Sequence, residues 1–160
     1  LTMVNASPTQ SPLGLQFVKE DVVLVADAGI TKGQVCKLTL DTTNLVFDAA
    51  TPAVAADAEL DAVSKFNFYG VALEDIAINQ TGRFRVKGKV EAKGGDTSAV
   101  STALTCDAAG ALHAAPVDPG ADTDSSFRVL AVNLEANVVD SLITVIFDGL
   151  GGFGFVEAAS

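Results

Sequence analysis

Few side chains in this sequence have the types and spacing to do chemistry. His113 stands between Leu112 and Ala114, and no GxSxG-type elbow accompanies it. A Ser/His/Asp set can be assembled on paper from any chain this rich in Ser and Asp, so it carries weight only with geometry. A hydrolase built on His113 predicts an activity that disappears in His113→Ala. Glu74 and Asp75 are neighbouring carboxylates. Adjacent strand residues face opposite ways, which argues against a shared acid–base site. Asp118, Asp122 and Asp124 with Ser125 suggest a calcium loop by composition, but Pro119-Gly120 interrupts them and the required spacing is missing. A solvated turn is the plainer reading there, and a solvated face for Asp57, Glu59 and Asp61. Cys36 and Cys106 are not spaced as CxxC, and two are too few for a disulfide scaffold. They read as buried reduced thiols; a bridge would need their Cα atoms within about 7 Å. The glycines match neither nucleotide-binding pattern. No catalytic residue, cofactor or metal is expected.

Charge offers more than nucleophiles do. In the run TGRFRVKGKVEAK, residues 81–93, Arg83, Arg85, Lys87 and Lys89 alternate with Phe84, Val86, Gly88 and Val90. A strand points successive side chains to opposite faces, so four cations share one face and the apolar set lines the other. With Lys93 the run holds five of the ten basic residues of an acidic chain. It can serve as a ridge that docks on an acidic protein surface. It can equally be a solvated face that discourages edge-to-edge aggregation and pairs with Glu74, Asp75 or Glu91.

The two ends are apolar in an unusual way. Residues 1–20 carry no charge before Lys19 and contain Pro8 and Pro12, the composition of an extended arm presenting Leu13, Leu15 and Phe17. Such an arm could reach about 60 Å. Residues 149–160 open with four glycines interleaved with Leu150, Phe153 and Phe155. Each buried aromatic would gain about 1.5–3 kcal/mol, so this tail should dock on its own core or on an adjacent chain. Arm and tail are the candidate partner-binding ends, with the ridge between them.

What must position these features is a β-rich body over residues 21–148. Short β-prone runs at 21–26, 34–40, 44–47, 68–73, 82–93, 102–106, 127–135 and 141–147 are separated by Gly-, Asn-, Asp- and Thr-rich turns. That punctuation signals a compact all-β barrel or sandwich. One short helix is expected over 51–66, with Thr51 as N-cap and Pro52 at the first position. Residues 69–74 and 130–135 share a V-x-L-E pattern 61 positions apart, each preceded by a Cys-containing hairpin pattern and followed by a β-rich run. Two similar β-units packed face to face would produce such a repeat.

The bulk properties narrow the classes further. The chain has 160 residues, 49% of them hydrophobic, and a net charge of −10. A chain of this size buries about 68–70% of its unfolded surface, enough for one domain. The acidic balance argues against nucleic acid, which needs a basic face, and the ridge has no aromatic to stack bases. No run approaches the roughly 20 uncharged apolar residues of a membrane span, and no secretory leader is visible. A small β-barrel holding a lipid or saccharide is the alternative from another class. One Tyr and no Trp make a poor sugar platform.

The ordered motifs resemble one family. Ala28-Gly29-Ile30-Thr31-Lys32-Gly33-Gln34-Val35-Cys36-Lys37-Leu38 is similar to the "AG-x-x-x-G-Q-V-V-K-L" opening of small bacteriophage head decoration (cement) proteins. Residues 69–75, YGVALED, are similar to that family's "F-G-V-A-L-E-D", and residues 81–92 to its "G-x-V-R-V-x-G-K-V-E-A". The resemblance covers about residues 20–148, the body without its ends. It implies a non-enzymatic, β-rich virion component, made in the bacterial host cytoplasm and usually a homotrimer on the outer surface of the head. There it would bind where major capsid protein subunits meet and clamp them, without a small-molecule substrate. The 48–65 insertion and the Gly/Phe tail depart from the family's simplest pattern.

Overall fold

The computed structural model describes residues 18–54, 59–60, 67–115 and 126–157. Its elements are β1 (Glu20–Ala26), β2 (Val35–Asp41), β3 (Val46–Pro52), β4 (Glu59–Leu60), β5 (Phe68–Ala72) and β6 (Thr81–Lys93). They are followed by β7 (Ala103–Cys106), β8 (Leu112–Ala114), β9 (Ser126–Arg128), β10 (Ala131–Asn133), β11 (Leu142–Asp148) and β12 (Phe155–Glu157). The only helical feature among the described residues is a 3-10 turn at Ala108–Gly110.

Strands β1-β3-β2-β5-β6 close into a five-strand barrel through a second edge between β1 and β6. Beyond the barrel the same sheet continues as β6-β11-β10-β7-β8, while β12-β9-β4 form a small sheet apart. The strand β6 makes this possible. Over 13 residues it alternates buried and outward-facing positions throughout. Phe84 and Val86 enter the barrel core with Leu24, Cys36, Leu38 and Ala72. Val90 and Ala92, on the same face, enter a second core with Leu104, Leu130, Val145 and Phe147. Gly88 sits at the changeover with φ +110°, where a Cβ would come within 2.9 Å of the Val18 carbonyl oxygen. Only glycine combines that backbone geometry with so close a crossing chain.

The second core is roofed by the barrel itself. Val35, Tyr69 and Val71 point outward from β2 and β5 into it, while Cys36, Leu38 and Ala72 point inward. Strand β5 is thus buried on both faces, which its unbroken apolar run FYGVA already suits. The internal repeat takes a definite form. β2-β5-β6 and β7-β10-β11 share one antiparallel strand order and are joined edge to edge by the β6–β11 pairing, with the second unit sharing a core with the outside of the first.

Two expectations change. The helix over 51–66 is not found where that stretch is described: Thr51 and Pro52 end β3, opposite Lys37 and Cys36. Ala49, Ala50 and Ala53 are buried, and the Ala53 amide donates to the Val35 carbonyl at 2.9 Å. An extended chain satisfies these buried backbone groups through β2, and Pro52 at the strand's last position costs no ladder bond. Residues 55–58 and 61–66 lie outside the described residues. The run 127–135 is two strands, not one. Val129 and Leu130 carry the chain from the small sheet to the large one, their amides bonding Gly154 and Leu104 carbonyls. β8, β4 and β12 are two or three residues long, too short for alternation to reveal.

Both cysteines are reduced and buried, Cys36 in the barrel core and Cys106 in the second core, where its Sγ donates to the Val54 carbonyl at 3.1 Å. Burial pushes the Cys36 thiol up to about 12 from an ordinary value of 9.0. Its folded pKa is raised, so its contribution to stability is complete below about pH 9 and is lost as pH rises toward 12. Native protein should therefore resist thiol reagents at pH 8 and label at both cysteines once unfolded; rapid labelling of the folded state would contradict this burial.

Candidate surface for partner binding

The outward face of β6 is the basic ridge. Arg85 is held hard: its Nε and Nη2 donate to the two carboxylate oxygens of Asp21 at 2.8 and 3.1 Å, and Nη1 donates to the Lys89 carbonyl at 3.0 Å. Asp21 lies across the β1–β6 ladder from Arg85, so strand register sets the pair. The Arg85 hydrogen bonds hold the Asp21 carboxyl below its ordinary value, against partial burial. The sign follows: this pair supports the fold above the ordinary Asp range and is lost as pH falls through the lowered value. Arg83 meets Glu74 at 3.3 Å, both well exposed, and Lys32 approaches Glu91 at 4.0 Å. Exposed pairs of this kind contribute about 0–1 kcal/mol each. Lys19, Lys87 and Lys89 make no ion pair among the described residues.

Two depressions share this face. A concavity of about 550 Å³ is bordered by Lys19, Lys32, Arg83, Arg85 and Lys89, with Glu91 as the one carboxylate on its wall. Beside it, an apolar groove of about 380 Å³ is bordered by Val18, Gly88, Ile146 and Phe153, with Lys87, Glu20 and Asp148 among its polar neighbours. A pattern visible as four alternating cations thus becomes a cation-lined hollow next to a greasy slot.

The tail docks on the chain's own body. Gly149 accepts from the Tyr69 amide at 2.9 Å and donates to the Val86 carbonyl at 2.9 Å. Leu150 packs against the barrel core, the Phe153 amide reaches the Val129 carbonyl at 2.8 Å, and β12 pairs with β9. Phe153 keeps 44% of its surface exposed, at the edge of the groove. Phe155 falls opposite Arg128 in the β12–β9 register. Leu13, Leu15 and Phe17 lie outside the described residues.

The lock on the tail is Arg128, which charge patterning overlooks. It is 2% exposed, bonds the carbonyls of Asn67 and Gly149 through Nη1 and Nη2, and stacks over the Tyr69 ring at 5.4 Å. Desolvation lowers its pKa, partly offset by Tyr69 and Asp148. A lone arginine between Phe127 and Val129 was the available signal: a cation inside an apolar run is either buried with partners or misplaced.

His113 approaches Asp96 with its Nδ1 3.5 Å from Oδ2. That carboxylate also accepts from the Ala114 amide, the Ser98 amide and hydroxyl, and Asn137 Nδ2 at 2.6–3.0 Å. Ser98 spends its hydroxyl on the carboxylate, so the cluster ties two loops to β8. The buried Asn133 likewise bonds the Thr102 amide and Ala99 carbonyl. Pinned by these bonds, the two loops present Val100, Leu134, Val138 and Val139, each about half exposed.

Fold and surface together define a barrel-centred β module whose long central strand carries cations on its outward face. No family model matches the chain, and no curated protein matches it. Among solved structures its fold is similar to the head fiber gp8.5 N base in bacteriophage phi29, with a TM-score of 0.54 and 11% sequence identity. The alignment covers 86% of this chain and 99% of that one.

Proposed function

We propose that this protein is a structural component of a bacteriophage head, a decoration or cement protein. It binds major capsid protein subunits on the outer surface of the virion. The observation that carries this reading is the likeness of its fold to a phage head fiber base. The resemblance of three ordered motifs to head decoration proteins supports it from the sequence side. In this reading the chain performs no catalysis and takes no cofactor; it holds its neighbours by surface contact. Repetition around a symmetric shell multiplies moderate contacts into firm attachment through effective concentration. The alternative, a barrel that carries a small ligand, gains no support, because Leu24, Leu38, Phe84 and Val86 fill the barrel's interior.

Purified heads lacking the protein provide the test. Wild-type protein should bind them, and Arg83→Glu/Lys87→Glu/Lys89→Glu should bind at least about tenfold more weakly, with a flatter salt dependence. Deleting residues 1–15 should also reduce occupancy. Failure of the wild-type protein to associate with heads would overturn the proposal.

A homotrimer is part of the same reading. The exposed Val100, Leu134, Val138 and Val139, on loops tied together through Asp96, Asn133 and Asn137, supply apolar side chains of the sort that closed oligomers bury. Val138→Asp/Val139→Asp should convert a trimer to monomers in native mass spectrometry, with thermal stability little changed. A trimer that survives both substitutions would move the interface elsewhere.

A further inference from the structure

The apolar groove and the basic concavity lie side by side on the outward face of β6, one bordered by Lys87 and the other by Lys89. Two strand positions separate these lysines, a span of roughly 6.6–6.8 Å. The concavity runs along β6 from Arg83 to Glu91, so an extended polypeptide, whose side chains on one face repeat at about this spacing, can set one side chain in the groove and the next on that face beside Lys89. The hollows differ in chemistry. The groove is walled by Val18, Ile146 and Phe153 and accepts a bulky apolar side chain. The concavity holds Lys19 and Lys89, which have no ion pair among the described residues, while Arg85 is already held by Asp21. Two ammonium groups that make no ion pair among the described residues, in a hollow with one carboxylate on its wall, favour a negatively charged partner.

We propose that groove and concavity are one seat for an extended segment of a partner protein, with an apolar residue in the groove and a carboxylate two positions along between Lys19 and Lys89. This rests on the head-component reading in one respect: the segment would belong to a capsid subunit. The Asp21 pair fixes Arg85 on the wall of the concavity, and the chain at Val18 and Lys19 is packed close over Gly88, so these parts of the seat need little ordering on binding.

The test is a titration of the isotope-labelled full chain, followed by amide NMR, with a blocked synthetic peptide carrying a Phe-Ser-Glu core. Shifts confined to the amides of 87–90 and 146–148 are expected at millimolar peptide. They should weaken at least about fivefold when the peptide's Glu becomes Gln, when its Phe becomes Ser, or in Lys19→Glu/Lys89→Glu. Both lysines are exposed, so that variant should keep the wild-type spectrum elsewhere. Absence of shifts, shifts at another surface, or equal binding of the Gln peptide would each overturn the proposal. Head capture separates the two readings. A chain that ignores the peptide but occupies heads overturns the composite seat alone, and a chain that seats the peptide but ignores heads overturns the head reading alone.

Discussion

Arg128→Ala should cost about 3–5 kcal/mol of folding stability and lower the melting temperature by roughly 6–20 °C. The guanidinium is buried and joins two carbonyls from distant segments, at Asn67 and Gly149, while lying over Tyr69. Removing it takes the Nη1 bond from the half-buried Asn67 carbonyl and one of two donors from the Gly149 carbonyl, which keeps the Tyr69 amide, and opens a cavity against the aromatic ring. Arg128→Lys should recover only part of the loss, because one ammonium group lacks the planar fork that reaches both oxygens. Denaturant unfolding with unchanged m-value would measure the difference. A loss below about 1 kcal/mol for the alanine variant would mean the cation contributes no more than an ordinary surface contact.

The second large effect is expected from Gly149→Ala. A Cβ there would stand 1.9 Å from the Tyr69 carbonyl oxygen and 2.6 Å from its carbon, and that neighbour is backbone, which has little room to yield. Either β5 or the tail must move. Movement breaks the Tyr69–Gly149–Val86 backbone bonds and the Arg128 contact together, for about 3 kcal/mol or more. The two substitutions act on one lock. The double variant should therefore lose at least about 1 kcal/mol less than the sum of the singles, whereas additivity would show that the tail is held independently at each point. Lifting the tail also removes Phe153 from the groove, so Gly149→Ala should weaken head binding more than an equally destabilising change in the second core, such as Val145→Ala.

Most strands were legible because alternation and turn residues are local signals. Val35–Asp41, Phe68–Ala72 and Thr81–Lys93 fall within two residues of where the pattern places them. The ridge was legible for the same reason, since a period of two needs no partner to read. The stretch after Thr51 misled. A threonine, a proline and a run of alanines satisfy helix-start rules, but Ala49, Ala50 and Ala53 are small because they are packed between β1, β2 and the second core. Small buried residues in an inner strand carry the same letters as a helix. Arg128 was passed over because it is single, and the buried Asn133 and Asn137 because amides are common in turns.

By itself the sequence determined the class of fold, the four-cation face of one long strand and the apolar character of both ends, all of which follow from neighbours within a few residues. Tertiary structure decided that β6 serves two cores, that its cations enclose a hollow beside an apolar groove, and that the tail is fastened to its own body. Those outcomes depend on contacts such as Asp21–Arg85 and Arg128–Gly149, between residues far apart along the chain. Burial and pairing of that kind are properties of the closed sheet, which no local pattern encodes.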